Sequence, residues 1–447
     1  NDPMKNSLLS ILIISLAFGQ SENATMTIYK NGYALIKQPV DWSIKSSLGE
    51  VEYSMLPEGI KESSPYLNLQ SGQVINQKLD GNLFSGSILI NESLGDYVTI
   101  TTIDDEDEYG TLIAISPDGY TIQTRRDVIF LKKEQVKKVS LRKVVENPKF
   151  RPSLRWKISS NNYNVAGDLV YMSRGFDWDA VYRMVVPDYG PATLITEAYI
   201  SNNSSINFND LKLKLVEGLV GKQIKPQFRG NRKFSSAAMA ADPSIQVADE
   251  SSLGDYHVFD FPDRLDFGKN EHITVRLYVP KLIDYSKSYV FKNAERSQKE
   301  EPLEIELQVK NTVDNNLNIP LPQGRIELYQ STEGGLEFTG EDQVKQTPKG
   351  ETATITAGRS FDVIGKRKVL DFERQRKNEE ASIEVIITNT RDEEITVRLE
   401  EQIRGDWVIK EASDNYIKRD ASTINFPFSL NAGETKTITY TYRKEWN

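Results

Sequence analysis

The sequence predicts an all-β protein: two Ig-like β-sandwich domains preceded by a small SH3-like β-barrel inserted after N-terminal strands. Three observations carry this. Apolar and polar residues alternate with period two in run after run. Helical periodicity is scarce. Turn residues recur at short spacing, as in sandwiches and barrels.

Composition bounds the chemistry. The chain has 447 residues, no cysteine, two histidines and a formal net charge of −9. Without cysteine there is no disulfide, thiolate zinc site or cysteine nucleophile. His257 and His272 alone cannot build a three-histidine metal site. The acidic balance argues against nucleic acid as a partner. No cofactor is implied.

The first element is an address. Met4-Lys5-Asn6 supplies a short positive start, and Leu8 to Phe18 is almost wholly apolar. Ala17-Phe18-Gly19 places small residues for a cut after Gly19, so residues 1–19 read as a secretory signal peptide. A membrane span needs about 20 apolar residues, and this run is about half as long. Asn1-Asp2-Pro3 stands before the methionine. The expectation is a secreted, periplasmic or cell-surface protein with no transmembrane segment in the mature chain.

Residues 20–66 form an N-terminal β segment, and residues 67–145 the small barrel. Its strands are Tyr97 to Ile100, Tyr109 to Ile115, Tyr120 to Thr124, Val128 to Leu131 and Val136 to Leu141. Ser116-Pro117-Asp118-Gly119 turns one hairpin, with Pro presetting φ and Gly tolerating positive φ. The acidic run Asp104 to Glu108 sits at another hairpin tip. It could offer oxygen ligands to calcium, but it lacks the spaced ligands of an EF-hand.

Residues 150–292 form the first sandwich and residues 300–447 the second, joined by a charged linker, Asn293 to Glu301. The two share a layout. Strands end in asparagine at Asn202 and Asn311, and again at Asn389. Each sandwich closes with a Gly turn, a glutamate and an alternating strand: Gly268 and Glu271 before Ile273, Gly433 and Glu434 before Ile438. Alternation over Leu303 to Val309 and Ile395 to Leu399 puts one face inward. Lys366 to Lys377 fits an exposed strand or a short helix equally. Residues 221–254 lose all periodicity and read as a flexible loop.

Four constellations are candidates for function. Arg125, Arg126, Lys132 and Lys133 lead a locally basic stretch from Arg125 to Lys157. It suits an anionic polymer, or else lysines that guard strand edges. Trp178 and Tyr182, four apart on a strand, share one face. They form a core plug or, alternatively, a sugar platform. The histidines lie beside strands, and no Gly-x-Ser-x-Gly elbow accompanies them. Carboxylate pairs for glycosidase chemistry are available among 64 acidic residues, but the sequence singles out none.

The string Tyr171-Met172-Ser173-Arg174-Gly175-Phe176-Asp177-Trp178-Asp179-Ala180-Val181-Tyr182 carries a resemblance. With it go Asn202-Asn203-Ser204, Leu211 to Gly218, Leu321-Pro322-Gln323-Gly324-Arg325, Gly340-Glu341-Asp342 and Gly358 to Val363. Trp407 and Ala432 to Thr435 close the series. From about Arg151 to Trp446 the chain resembles domain of unknown function 4139, a family sometimes labelled mucoidy inhibitor A. The resemblance implies an exported all-β protein, makes Trp178, Tyr182, Pro322 and Gly324 structural motif residues, and transfers no catalytic residue. The chain lacks the helical coiled-coil insertion of some longer relatives.

The expected function is that of an exported, non-enzymatic binding or scaffold protein of the cell envelope. Envelope polysaccharide or another envelope protein is the partner class. The alternative is an envelope polysaccharide hydrolase using paired carboxylates.

Overall fold

The computed structural model describes residues 20–81, 85–143, 150–218 and 247–446. The expected signal peptide, and residues 221–246 of the expected loop, lie outside the described residues.

A first unit opens with β1 (Gln20–Glu22), β2 (Thr25–Tyr29), β3 (Tyr33–Ser43), β4 (Leu48–Tyr53), β5 (Tyr66–Leu69) and β6 (Gln73–Asp80). The chain then builds a separate small body from α1 (Gly86–Glu92), β7 (Tyr97–Thr102), β8 (Asp107–Ile115), β9 (Gly119–Gln123), β10 (Val128–Lys132) and β11 (Val136–Leu141). It returns to complete the first unit with β12 (Ser153–Ser159) and β13 (Asn164–Arg174). A second unit comprises β14 (Phe176–Val186), β15 (Ala192–Asn202), β16 (Asn207–Glu217), β17 (Asp249–Leu253), β18 (Tyr256–Phe267) and β19 (Glu271–Ile283). A third has β20 (Ser286–Ala294), β21 (Lys299–Lys310), β22 (Gly324–Thr332), β23 (Gly335–Val344) and the first half of β24 (Thr352–Arg374). The second half of β24 opens the fourth unit. It continues with β25 (Asn378–Asn389), β26 (Ile395–Gln402), β27 (Asp406–Ala412), β28 (Ile417–Lys418), β29 (Thr423–Leu430) and β30 (Thr435–Glu445).

All four units follow one plan. Each starts with an antiparallel pair: β2 with β3, β14 with β15, β20 with β21, and the end of β24 with β25. A third strand and its antiparallel partner follow: β4 with β12, β16 with β18, β22 with β23, β26 with β29. The closing strand then pairs with the second: β13 with β3, β19 with β15, β24 with β21, β30 with β25. Closing strands lead directly into the next opening strand, β13 into β14 through Gly175 at φ +97° and β24 without a break.

Parallel pairing welds the units together. β2 pairs with β16, β14 with β22 and β20 with β26, so each of these three opening strands lies beside the third strand of the next unit. In register, Met26 and Ile28 lie opposite Leu213 and Leu215, and Tyr182 and Met184 lie opposite Ile326 and Leu328. These residues are buried, so each shared sheet turns one continuous apolar face inward. One core runs from Val51 and Trp156 through Trp178 to Ile355, and a second from Tyr289 to Tyr442.

The all-β class holds, and the assigned domain ranges need correction. The strands of residues 20–66 enter the main sheets of the first unit. Gln73–Asp80, assigned to the barrel, pairs instead with β12. β22 and β23, assigned to the second sandwich, extend a sheet of the first through β14. β20, assigned to the first, lies in the last large sheet. The boundary near Asn293 to Glu301 is crossed by strands on both sides. Residues 249–253 of the expected loop form β17, an edge strand on β18. Lys366 to Arg374 is strand.

The small body has sheet order β10-β9-β8-β7-β11 around Val98, Ile100, Leu112, Ile122 and Leu131. A 3-10 turn at Lys133–Gln135 links β10 to β11. Its five strands match the expected SH3-like rhythm. Helix α1 is an addition, started where the Ser85 side chain accepts the Ile88 amide at 3.2 Å.

The asparagines that end strands hold the units closed. Asn202, Asn311 and Asn389 are fully buried. Each amide nitrogen donates to three carbonyls: Ile206, Phe267 and Gly268; Ile319, Thr347 and Pro348; Glu393, Leu430 and Asn431. Each side-chain oxygen accepts an amide from the loop that follows it. One side chain thus satisfies a buried loop and the turn before the closing strand.

Candidate functional site

The motif residues meet at one end of the second unit. Trp178 and Tyr182 face inward from β14 and are each 1 % exposed. Trp178 Nε1 donates to the Val216 carbonyl at 3.3 Å, and the Tyr182 hydroxyl donates to the Pro322 carbonyl at 2.6 Å. From β19, Tyr278 donates likewise to Pro320 at 2.9 Å. Burial raises both tyrosines well above the ordinary phenol value. A Cβ on Gly324 would lie 2.1 Å from the Ala180 carbonyl oxygen, so only glycine lets β22 close on β14. This is a core plug; the aromatics offer no ring to a sugar.

Two charged residues complete the plug. Lys30, in the turn between β2 and β3, places Nζ 4.6 Å from the Trp178 ring centroid and 2.9 Å from Glu217. It also donates to the Gln323 carbonyl. Sequence reading missed this pair, although a signal existed. Leu211, Leu213 and Leu215 put the inner face of β16 on odd positions, which turns Glu217 into the core.

The histidines do separate work. His257 Nδ1 lies 2.9 Å from Glu250 Oε1, while His272 stacks on Tyr199 with centroids 5.4 Å apart. On the outer face of the same sheet, Arg183 binds both Glu197 and Glu327. Glu327 has a second guanidinium, that of Arg325, at 2.8 Å, so both carboxylates are neutralised.

The four basic candidates do not form one face. Arg125 and Arg126 occupy the β9–β10 turn, while Lys132 ends β10 and Lys133 follows it at the start of the 3-10 turn. At about 3.3 Å per residue that separates them by roughly 15–20 Å. All four are exposed. Lys132 lies 3.7 Å from Glu134, and Lys133 lines a shallow groove of about 320 Å³ with Ile90, Pro117 and Tyr120. The acidic tip is engaged too, since Lys137 bonds Asp105 at 2.5 Å.

A different set comes together around Arg125 and Arg126. Register places Tyr97, Thr111, Gln123 and Val128 in one row across β7, β8, β9 and β10. Tyr97 is 48 % and Val128 62 % exposed. The Arg142 guanidinium lies 5.1 Å from the Tyr97 ring centroid, and the two border a groove of about 240 Å³ with Ser93, Asp96 and Lys143. Arg125 and Arg126 stand at the other end of this row, beyond Gln123 and Val128.

Among the described residues no cluster of three or more His, Asp or Glu is placed to hold a metal ion, and no helix is long and apolar enough to cross a membrane. The family described as Domain of unknown function (DUF4139) matches residues 168–447. This chain belongs to that family. The matched stretch starts within β13 and takes in the second, third and fourth units with the plug around Trp178, apart from Lys30. The small barrel lies outside it. No curated protein matches the chain.

Proposed function

We propose that the protein is exported to the cell envelope and acts there as a non-enzymatic scaffold whose barrel binds an acidic polysaccharide. The row Tyr97, Thr111, Gln123 and Val128 carries this reading, with Arg142 at one end and Arg125 and Arg126 at the other. An exposed ring offers a stacking surface to a sugar. Threonine and glutamine offer hydrogen bonds, and guanidinium groups pair with carboxylate or sulfate in forked geometry. Four strands spaced by about 4.8 Å make the row roughly 14 Å long, enough for two to three sugar rings. Export is supported by the signal-like residues 1–19. The non-enzymatic reading is supported by the pairing of Glu197 and Glu327 with Arg183 and Arg325.

Binding to dextran sulfate and polygalacturonate, with neutral dextran as the control, tests the reading. The expected result is salt-sensitive binding to both acidic polymers, lost in R125Q/R126Q/R142Q and largely retained in K132Q/K133Q. Equal binding by the triple variant overturns the site. For export, the expected N-terminus of protein recovered from the envelope or medium is Gln20; an intracellular, uncut chain overturns it.

A further inference from the structure

We infer that copies of this chain assemble head to tail by adding the third strand of one copy, β4, in parallel to the opening strand of another copy's last unit, the end of β24.

The repeat plan carries the inference. Three opening strands, β2, β14 and β20, each hold the next unit's third strand in parallel register. The fourth opening strand is the second half of β24. On one edge it pairs with β25 as far as Arg374. On the other edge β21 stops at Arg367, so among the described residues Lys368 to Arg374 has no strand beside it. The open stretch sits where the plan places a partner. In β14, Phe176 faces Asn202 and parallel pairing starts at Ala180. In β24, Val363 faces Asn389 and the open edge starts at Lys368.

The complementary vacancy lies at the other end. Of the third strands, β16, β22 and β26 each lie between an antiparallel partner and a parallel opening strand. Among the described residues β4 has only its antiparallel partner, β12, and is the edge of its sheet. Every internal junction in the chain joins these two kinds of edge.

Side chains fit such a junction. Leu370 is 57 % and Phe372 42 % exposed on the open edge, whereas the matching stretch of β14 is buried at Tyr182 and Met184. The Arg296 guanidinium lies 5.1 Å from the Phe372 ring centroid, but no strand pairs with this edge, and an unpaired strand edge with apolar residues is a template for strand addition. Asp371 guards it, its carboxylate accepting the Phe372 amide at 2.9 Å. A bulge between Val369 and Asp371 further limits indiscriminate pairing. The contact uses different surfaces on the two copies, so repetition gives a ring or an open filament rather than a two-fold dimer.

This assembly deepens the scaffold part of the proposed function and does not use the barrel. The natural absence of cysteine makes the test clean. In E50C/D371C, mild oxidation should give a ladder of dimers, trimers and larger species on a non-reducing gel. E50C/Y189C, with its second thiol at a position 94 % exposed and away from the edge, should give at most scattered dimers. Adding L370K/F372K to E50C/D371C should collapse the ladder while circular dichroism stays unchanged. A ladder no stronger than the E50C/Y189C control, or one that survives L370K/F372K, overturns the inference. Loss of the ladder with polymer binding intact removes assembly alone, and the reverse removes the barrel reading alone.

Discussion

Two buried ion pairs, one at the mouth of the second unit and one inside the fourth, show two ways of placing charge in a β core. Lys30 and Glu217 keep 16 % and 5 % of their side-chain surface in contact with solvent. Lys30 divides its ammonium among a carboxylate, a carbonyl and the face of Trp178. Arg367 and Glu401 keep none. Arg367 Nε donates to both Glu401 oxygens at 3.2 and 3.0 Å, and the remaining donors reach the Ser297 and Glu295 carbonyls and the Tyr440 hydroxyl. Tyr440 and Asn293 in turn donate to Glu401 at 2.6 and 3.0 Å. Burial pushes the Glu401 carboxyl above its usual range, while Glu401 and Tyr440 outweigh burial at Arg367 and hold its guanidinium charged. These directions oppose one another. We take the pair as ionised, because the guanidinium engages both carboxylate oxygens. A charge at the rim survives with partial partners, because water supplies the rest; a charge without water needs every donor and acceptor satisfied.

The comparison can be broken at several depths. The largest effect is expected from Glu401→Leu, which strands the Arg367 cation: about 3–5 kcal/mol lost in urea unfolding. The double variant R367M/E401L should recover most of that loss, since removing both charges removes the desolvation cost with the attraction. A double variant as unstable as the single would show that the network, not the charge balance, sets the cost.

The neutral counterpart comes next. Asn389→Ala leaves three buried carbonyls without their donor and is expected to cost about 2–3 kcal/mol. Asn202→Ala and Asn311→Ala should fall in the same range by the same measurement. One variant of the three costing nothing would break the equivalence of the units.

At the rim the effect shrinks. Lys30→Met keeps the packing against Trp178 and loses the charge, an expected cost of about 1–2 kcal/mol in unfolding midpoint. A loss as large as that of Glu401→Leu would erase the distinction between rim and interior.

The smallest effect belongs to the surface. Lys299 at 2.5 Å and Arg359 at 2.7 Å hold the Glu301 carboxyl below its usual range. A depressed folded value stabilises above the unfolded carboxylate pKa and loses that contribution as pH falls through the folded one. Glu301→Gln should therefore cost a few tenths of a kcal/mol at pH 6 and nothing near pH 2, by urea titration at both values.

Much of this molecule was legible in its sequence because alternation reports burial. The five barrel strands, the inward pair Trp178 and Tyr182, and the three asparagine strand ends could all be read there. The Glu217 and Arg367 partners could not. The inward position of Glu217 was visible, but Arg367 sits in a stretch that reads equally as an exposed strand or a short helix, and the lysine and glutamate that neutralise them lie 187 and 34 residues away. The basic candidates show the opposite failure: Arg126 and Lys132 are near in sequence, yet a strand in extended form carries them to opposite ends of a hairpin.

The sequence by itself determined most of the residues that face inward, where many strands stop and that the chain is predominantly β. Side-chain pattern and turn chemistry act locally and leave local marks. Only the tertiary structure decided which strand lies beside which, and so that four units share their sheets and that, among the described residues, β4 and the end of β24 remain as edges. Pairing between strands runs through backbone amides and carbonyls, which every residue but proline carries alike.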